Sequence, residues 1–265
     1  MELTSTPSPF ELLAFYVEAG VDEAIGTLAI NRFQHSPPTP PVTAQAQSKP
    51  APALSSPAYQ APVSVTSETS MHLAESCTTL AELRSALENF EGLSIKHTAM
   101  NMVFADGNPH APVMLIGEAP GHDEDVQGLP FVGKSGKMLD RMLASIDLRR
   151  TDNAYITNVL PWRPVENRAP SLEEIALCRP FLMRHIHLVA PKVLVLLGGV
   201  PASTVLETST GITRLRGQWH SLTVPGLSAP IPTIATFHPS YLLRTPAGKR
   251  MAWRDLLDVK KRLTP

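Results

Sequence analysis

The apolar run at residues 192–197 (KVLVLL) constrains the fold more than any other segment of the chain. Its apolar residues are continuous, whereas a strand with one face in water alternates apolar and polar residues. A continuous run is typical of a strand that is buried on both faces. It therefore predicts a strand of a parallel sheet that is covered by helices on both sides.

Three further strands are predicted, at residues 113–116, 154–160 and 233–237. Helices are predicted to begin at Thr79 and Ser171, each of which has a glutamate three residues later, as in a capping box. Strands that alternate with helices predict a three-layer α/β/α sandwich around a mostly parallel central sheet. Ligands of such sheets bind beyond the carboxyl ends of the strands, so the residues that follow each strand are the first candidates for a site.

Composition divides the 265 residues into three parts. Residues 1–34 are predicted to hold a helix, because Ser8 can cap it and apolar residues then recur at helical spacing. This helix could dock a partner or fold back on its own domain. Residues 35–75 are predicted to be a disordered linker, since residues 36–62 carry eight prolines and one charge. Residues 76–265 form the predicted α/β domain, which we expect to carry the function.

Charge and cysteine content exclude several classes of protein. The formal net charge is −1, so any contact with a nucleic acid must come from a local basic patch. Two cysteines, Cys77 and Cys178, cannot form a disulfide framework, and neither lies in a CxxC pair. No apolar stretch is long enough to cross a bilayer. The sequence therefore predicts a soluble, reduced, cytoplasmic protein without a membrane partner.

Residues 117–136 (GEAPGHDEDVQGLPFVGKSG) form the densest group of special residues, directly after a predicted strand. Their glycines and prolines predict a tight loop whose backbone N–H groups can approach a ligand. Phosphate binding is the weaker interpretation, because the loop matches neither a dinucleotide nor a Walker pattern and carries the acidic run at residues 123–125. That run can also be solvated surface. Phe131 can either plug the core or stack on a ligand.

Residues 237–244 (FHPSYLLR) form a second such segment. His238 follows a predicted buried strand and precedes a proline, which predicts a rigidly held imidazole at the edge of the sheet. Leu242 and Leu243, followed by Arg244, are residue types that suit a wedge into stacked bases with a cation for phosphate. The two leucines could instead begin a buried helix.

The end of the chain is basic from residue 231 onward. Seven lysines and arginines stand against two aspartates there, a net charge of +5. We expect Arg244, Lys249 and Arg250 to contact phosphate, because they lie closest in sequence to the leucine pair. Lys260 and Lys261 are expected only to solvate the last helix.

Taken together, these motifs resemble the family-4 uracil-DNA glycosylases. The resemblance rests on GEAPGxxEDxxGxPFVGxxG, a strand ending in TN at Asn158, and HPSYLLR, in that order. It continues through NRAP (167–170), CRPFL (178–182) and GITRLRGQWH (211–220), and it covers about residues 93–263. The sequence is most similar in overall organisation to alphaproteobacterial members of the family.

The resemblance implies an enzyme that flips uracil out of DNA and hydrolyses its N-glycosidic bond, leaving an abasic site in base-excision repair. Phe131 would stack on the base, and the side-chain amide of Asn158 would read its edge. His238 would stabilise negative charge on the departing base. The other implied site residues are the catalytic carboxylates Glu118 and Glu124, and Gly117 and Ala119 beside the base.

Uracil-containing DNA is the partner that the resemblance implies, and the protein is expected to act as a monomer. Leu242 and Leu243 would enter the duplex. A protein that binds uracil or abasic DNA without useful turnover is the alternative. The presence of Glu124, Asn158 and His238 together favours the enzyme, because a protein that only binds does not need all three.

Members of the family usually hold a [4Fe–4S] cluster with four cysteines. The motifs align those positions with Phe90, Leu93, Trp162 and Cys178, so one thiolate stands where a cluster requires four. The apolar residues are expected to fill the space by packing, with Cys178 as a small buried residue. We therefore predict no cofactor and no metal.

Overall fold

The computed structural model describes residues 67–264, and among these residues six strands form one sheet surrounded by nine α-helices. The strands are β1 (Asp106–Gly107), β2 (Val113–Gly117), β3 (Ala154–Asn158), β4 (Val193–Leu197), β5 (Trp219–Leu222) and β6 (Ile231–Thr236). The helices are α1 (Ser67–Ser76), α2 (Leu80–Glu88), α3 (His122–Gln127), α4 (Lys134–Ala144), α5 (Leu172–Val189), α6 (Gly199–Leu206), α7 (Ile212–Leu215), α8 (Pro239–Arg244) and α9 (Lys249–Leu263). None of the described helices is long and apolar enough to cross a bilayer.

The strand order is β1-β3-β2-β4-β6-β5. The four central strands are parallel, and the two edge strands, β1 and β5, are antiparallel to their neighbours. This arrangement confirms the predicted mostly parallel sheet. The chain passes from β2 to β3 on one side and then returns past β2 to β4, so the sheet has a topological switch point beside β2, where ligands of α/β proteins commonly bind.

Successive residues of the central strands point to opposite faces of the sheet and are buried on both. In β2, Val113 and Leu115 belong to one apolar cluster, while Met114 and Ile116 belong to the other. All five residues of β4 are at most 2 % exposed. Helices α2 and α5 pack in the first cluster with Met114, and α4 and α9 in the second with Leu115. Burial on both faces is the physical reason for the continuous apolar run.

Capping side chains begin two of the helices where the sequence predicted. The Thr79 hydroxyl accepts the backbone N–H of Glu82 at the start of α2. At the start of α5, the Ser171 hydroxyl accepts the Glu174 amide, while the Glu174 carboxylate accepts the Ser171 amide. Arg168 also donates to both oxygens of Glu174. These bonds fix the loop before α5, which forms one side of the site described below.

The predicted linker extended too far toward the carboxyl end. Residues 67–75 were expected to belong to it, but they form most of α1. Ser70 and Ala74 of this helix are buried, and α1 packs against α5. Short side chains there allow a close approach of the two helices, which composition did not indicate. Residues 1–34 and the linker up to residue 66 lie outside the described residues.

Candidate active site

The carboxyl ends of the parallel strands bring the predicted site residues to one edge of the sheet. Gly117 ends β2 and lies in register with Asn158, the last residue of β3. Gly198 follows β4, and His238 caps the start of α8 directly after β6 and Phe237. These ends and the loop after β2 enclose an open cavity of about 630 Å³.

Most of the residues predicted to act on the base or contact it line this cavity. They are Glu118, Ala119, Glu124, Phe131, Asn158 and His238. Gly117 does not line the cavity, but the Asn158 side chain and the Phe131 ring pack so closely on it that an added Cβ would overlap both. The structure therefore brings together, around the end of β2, residues that are up to 121 positions apart in the sequence.

Sequence reasoning missed several polar residues that also line the cavity: His122, Lys134, Ser135, Asn167, Arg168, Ser240 and Tyr241. Most of them lie inside the two segments that the sequence singled out. Their position within those segments is therefore the signal that could have found them. Arg168 and Asn167 come from the loop before α5, for which no chemical role was predicted.

Asn158 presents a polar atom without a partner. The residue is 5 % exposed, and its Oδ1 is buried and accepts no hydrogen bond among residues 67–264. A buried amide oxygen without a donor is unfavourable by about 1–3 kcal/mol, so it is rare unless a ligand supplies the donor. Phe131 lies beside it with its ring centre 5.6 Å from that of His238. The arrangement suits a flat ligand that carries an N–H group.

His238 is held as a neutral donor. Its Nδ1 accepts the backbone N–H of Ser240 at 3.1 Å and lies 2.8 Å from the Ser240 hydroxyl. Burial and, to a smaller extent, the nearby charge of Arg244 lower the pKa of His238 to about 4, while Glu124 opposes the shift. Because Nδ1 accepts a hydrogen, the neutral ring carries its own hydrogen on Nε2. Among residues 67–264 that N–H group has no acceptor, so it can donate to a ligand.

Glu118 is a desolvated carboxylate that lines the cavity. Among residues 67–264 its side chain has neither a hydrogen-bond donor nor an ion-pair partner, and it is half-buried. Burial raises the pKa of Glu118 above its ordinary value. A desolvated carboxylate without partners is a stronger base than an exposed one, which suits the activation of a water molecule.

Glu124 is engaged by backbone amides. One oxygen accepts the N–H groups of Val132 and Gly133, each at 2.9 Å, and the other accepts that of Gly121 at 3.1 Å. These bonds tie the start of α3 to the segment that carries Phe131. The geometry therefore favours a role for Glu124 in fixing the loop, while Glu118 has the freedom that direct chemistry requires.

Comparisons with known proteins agree with this geometry. The family model of the uracil DNA glycosylase superfamily matches residues 104–257, more than half of the chain. A type-4 uracil-DNA glycosylase of Archaeoglobus fulgidus is 43 % identical over 56 % of this chain and 75 % of the relative. One of Thermotoga maritima is 38 % identical over 60 % and 82 %, and one of Saccharolobus solfataricus is 34 % identical over 62 % and 77 %.

The chain belongs to the type-4 uracil-DNA glycosylases. The family match begins at residue 104 and ends at residue 257, so it includes both segments that the sequence analysis singled out. It also supports the α/β architecture described above.

The structure corrects one residue of the proposed DNA wedge in this type-4 glycosylase. Leu242 is 1 % exposed and lies in the apolar cluster under α9, whereas Leu243 is 44 % exposed. The two residues differ because consecutive positions of α8 point in directions about 100° apart, so that one faces the core and the other faces outward. Leu242 is therefore part of the fold, and Leu243 is the leucine available to contact DNA.

The predicted phosphate-contacting residues remain accessible. Arg244, Lys249 and Arg250 are all exposed, and Arg244 lines the cavity. Among residues 67–264 none of the three forms an ion pair within 4.0 Å. Lys260 and Lys261, in contrast, pair with Asp147 and Asp258.

The residues at the four aligned cluster positions do not fit an iron–sulfur cluster. Phe90, Leu93, Trp162 and Cys178 are each at most 3 % exposed and belong to one apolar cluster. The Phe90 ring packs edge-on against Phe181 with centroids 5.1 Å apart. Burial raises the pKa of Cys178 far above that of a free thiol, which keeps it protonated. Side chains thus occupy the space that a cluster would need.

Proposed function

We propose that this protein acts as a uracil-DNA glycosylase that flips uracil out of DNA and hydrolyses the bond between its N1 and the sugar C1′. The observation that carries the proposal is the buried Oδ1 of Asn158, a residue that lines the cavity with Phe131; this oxygen has no donor among residues 67–264. Uracil supplies that donor at N3–H, while its flat ring suits the aromatic surface. Membership of the type-4 family points to the same substrate.

Asn158 can distinguish uracil from cytosine. Its Oδ1 would accept from N3–H of uracil, while its Nδ2 would donate to O4. Cytosine presents an acceptor at N3 and a donor at C4, so both contacts would be repulsive. A buried site that depends on such hydrogen bonds discriminates strongly, because the wrong base leaves its polar groups without partners.

His238 and Glu118 would stabilise the two charges that appear as the glycosidic bond breaks. The departing base gains negative charge at O2, where the Nε2–H group of neutral His238 would donate. The sugar gains positive charge at C1′, where the Glu118 carboxylate would favour it and orient the attacking water. The water then gives its oxygen to C1′ and a proton to Glu118, leaving an abasic site.

The test is an oligonucleotide assay that detects abasic sites by alkaline strand cleavage. The purified protein is expected to cleave a strand with one uracil and to leave matched strands with cytosine or thymine intact. Both single- and double-stranded forms should be assayed. Binding to the uracil strand without cleavage, at enzyme in excess over DNA, would favour a non-catalytic binding protein.

We propose that the basic residues at the start of α9 hold the DNA backbone. Replacement of Arg250 by alanine should reduce the slope of log affinity against log salt by about one. Affinity should fall equally for uracil-containing and normal DNA, because phosphates carry no base information. The measurement is equilibrium binding of both DNAs across a salt series.

Lys261→Ala is the matched control, since Lys261 lies on the same helix and pairs with Asp258. Its salt slope should equal that of the wild type. An unchanged slope for Arg250→Ala, or a loss confined to the uracil strand, would show that DNA is held elsewhere.

We propose that the enzyme needs no iron–sulfur cluster. Protein produced with abundant iron should be colourless, and its activity should survive a chelator, because side chains occupy the cluster positions. Cys178→Ala should keep the single-turnover rate, since Cys178 would serve only as a small buried residue. Iron bound in stoichiometric amount, or its loss in Cys178→Ala together with activity, would contradict the proposal.

The remaining expectations concern the surroundings of the enzyme. We propose that it acts as a monomer in the cytoplasm. Both cysteines are buried and unpaired, which agrees with a reducing compartment. Hydrolysis of the glycosidic bond by water requires no covalent bond between the protein and DNA.

A further inference from the structure

Phe131 has an unusual backbone conformation for a bulky residue. Its φ is 54°, in the left-handed region that side chains other than glycine rarely adopt. Its carbonyl group lies so close to Gly136 that an added Cβ there would overlap it. Such a conformation persists only where the surrounding structure imposes it. Some other group must therefore hold this segment in place.

Arg150 supplies that hold on the carbonyl side. Its Nη1 donates to the Pro130 carbonyl at 3.0 Å, and its Nη2 donates to the Phe131 carbonyl at 2.8 Å. A guanidinium is planar and rigid, so two such bonds fix both the position and the direction of the backbone they contact. Arg150 comes from the turn before β3 and does not line the cavity.

Two carboxylates hold Arg150 in turn. Its Nη1 lies 2.8 Å from Asp106 of β1, and its Nη2 lies 2.8 Å from Asp140 of α4. The Arg150 side chain is only 16 % exposed. Since all of these contacts use one planar group, Arg150 joins the edge of the sheet, α4 and the Phe131 segment.

The Glu124 carboxylate binds backbone N–H groups of the same segment. It accepts the N–H groups of Val132 and Gly133, directly after the two carbonyls that Arg150 contacts. In residues 130–133, Arg150 therefore binds the first two carbonyls and Glu124 binds the last two amides. The result places the Phe131 ring against Gly117 and His238.

We propose that Arg150 is a positioning residue for base excision, acting through Phe131. By holding the two carbonyls, it keeps the Phe131 ring at the place where the flipped base stacks. This proposal rests on the proposed function, but it concerns a residue outside the cavity and outside both sequence motifs.

The first test is a double-mutant cycle. Arg150→Met should lower the single-turnover rate of uracil release at least about 10-fold in the wild-type background, because small displacements of aligned groups are costly. In a Phe131→Ala background the same change should have little further effect, since the ring through which Arg150 acts is gone. Equal losses in both backgrounds, or no loss in the first, would overturn the proposal.

Two more variants separate positioning from general stability. Arg150→Lys keeps the charge between Asp106 and Asp140 but cannot reproduce the planar fork, so it should show a loss in the same direction. Arg179→Met is the matched control, because Arg179 also donates to a backbone carbonyl and pairs with a glutamate, Glu207, away from the cavity. Arg179→Met should keep the rate even if it unfolds at a lower temperature.

A second readout does not depend on activity. Phe131 is 5 % exposed, so chymotrypsin should not cut after it in the wild type or in Arg179→Met. In Arg150→Met the freed segment should be cut there, as shown by the masses of the fragments. If the wild type releases no uracil yet this cut appears, the proposed function fails while the hold of Arg150 on the segment stands. Continued protection of Phe131 in a folded Arg150→Met would overturn the hold itself.

Discussion

Glu118→Gln is expected to lower the single-turnover rate of uracil release by about 10²–10⁴-fold, the usual range for loss of a general base. The amide has nearly the same shape as the carboxylate, but it can neither take a proton from water nor favour positive charge at C1′. Affinity for uracil-containing DNA should be retained, since binding the base depends on other residues. Single-turnover kinetics and equilibrium binding measure the two effects separately.

The same variant should no longer show the fall of the uracil-release rate at low pH. Burial raises the pKa of Glu118 above its ordinary value of 4.5. The base acts when ionised, so the wild-type rate should fall as the pH drops through this raised pKa, with a midpoint above 4.5. Glu118→Gln has no group to protonate there, and its residual rate should be flat over that range.

As the pH rises through the pKa of Glu118, the stability of the protein should fall while its activity rises. A raised pKa in the folded state means that ionised Glu118 is less favourable there than in the unfolded chain. Its contribution to stability is therefore present at low pH and is lost as the pH rises through the raised pKa. At neutral pH, Glu118→Gln should unfold at a temperature no lower than that of the wild type.

Glu173→Gln is a suitable control, since Glu173 is an exposed glutamate of α5 that does not line the cavity. It should change neither the rate nor its pH dependence. A Glu118→Gln protein with wild-type kinetics would show that Glu118 is not the general base, and Glu124 would then be the candidate.

His238→Ala is expected to lower the single-turnover rate by about 10²–10³-fold, equivalent to about 2.7–4 kcal/mol. The variant lacks the Nε2–H donor that would stabilise negative charge at O2 of the departing base. That interaction strengthens as the bond breaks, so the rate should suffer more than the affinity for uracil-containing DNA. Rates and affinities measured on the same uracil-containing strand test this.

The pH profile distinguishes a neutral from a charged imidazole. With the pKa of His238 lowered to about 4, the ring stays neutral above about pH 5, so the wild-type rate should show no step near the ordinary histidine value of 6.5. His110→Ala, which changes an exposed histidine outside the cavity, provides the control. A wild-type step near 6.5 that His238→Ala abolishes would mean that the imidazolium is the active form.

The central strands could be predicted from the sequence because their environment leaves a direct mark on composition. Strands that are buried on both faces are largely apolar, and β4 is apolar at every position. The short strands β1 and β5 lie at the edges of the sheet and contain both polar and apolar residues, so no periodic pattern in the sequence predicted them. Residues 117–136 were predicted to form a loop because they are rich in glycine, but α3 lies within this segment and α4 begins in it at Lys134.

The residues of the candidate site also differ in how far the sequence alone could locate them. Asn158 and His238 could be located because each ends or follows a predicted strand. Leu242 and Leu243 are adjacent and chemically identical, so only the orientation of α8 shows that the first is buried and the second exposed. Arg150 belongs to no motif, and its hold on the Phe131 segment depends on a contact between residues 19 positions apart.

The sequence by itself determined the parallel sheet, the order of the motifs and the residue types available at the strand ends, because burial and backbone geometry restrict which residues can stand there. Only the tertiary structure decided how those residues divide the work. Glu118 and Glu124 both follow β2 closely, yet among residues 67–264 backbone amides bind the Glu124 carboxylate, while the Glu118 carboxylate is desolvated and has no partner. The physical reason is that hydrogen-bond partners and desolvation are properties of three-dimensional neighbours, which a linear pattern does not contain.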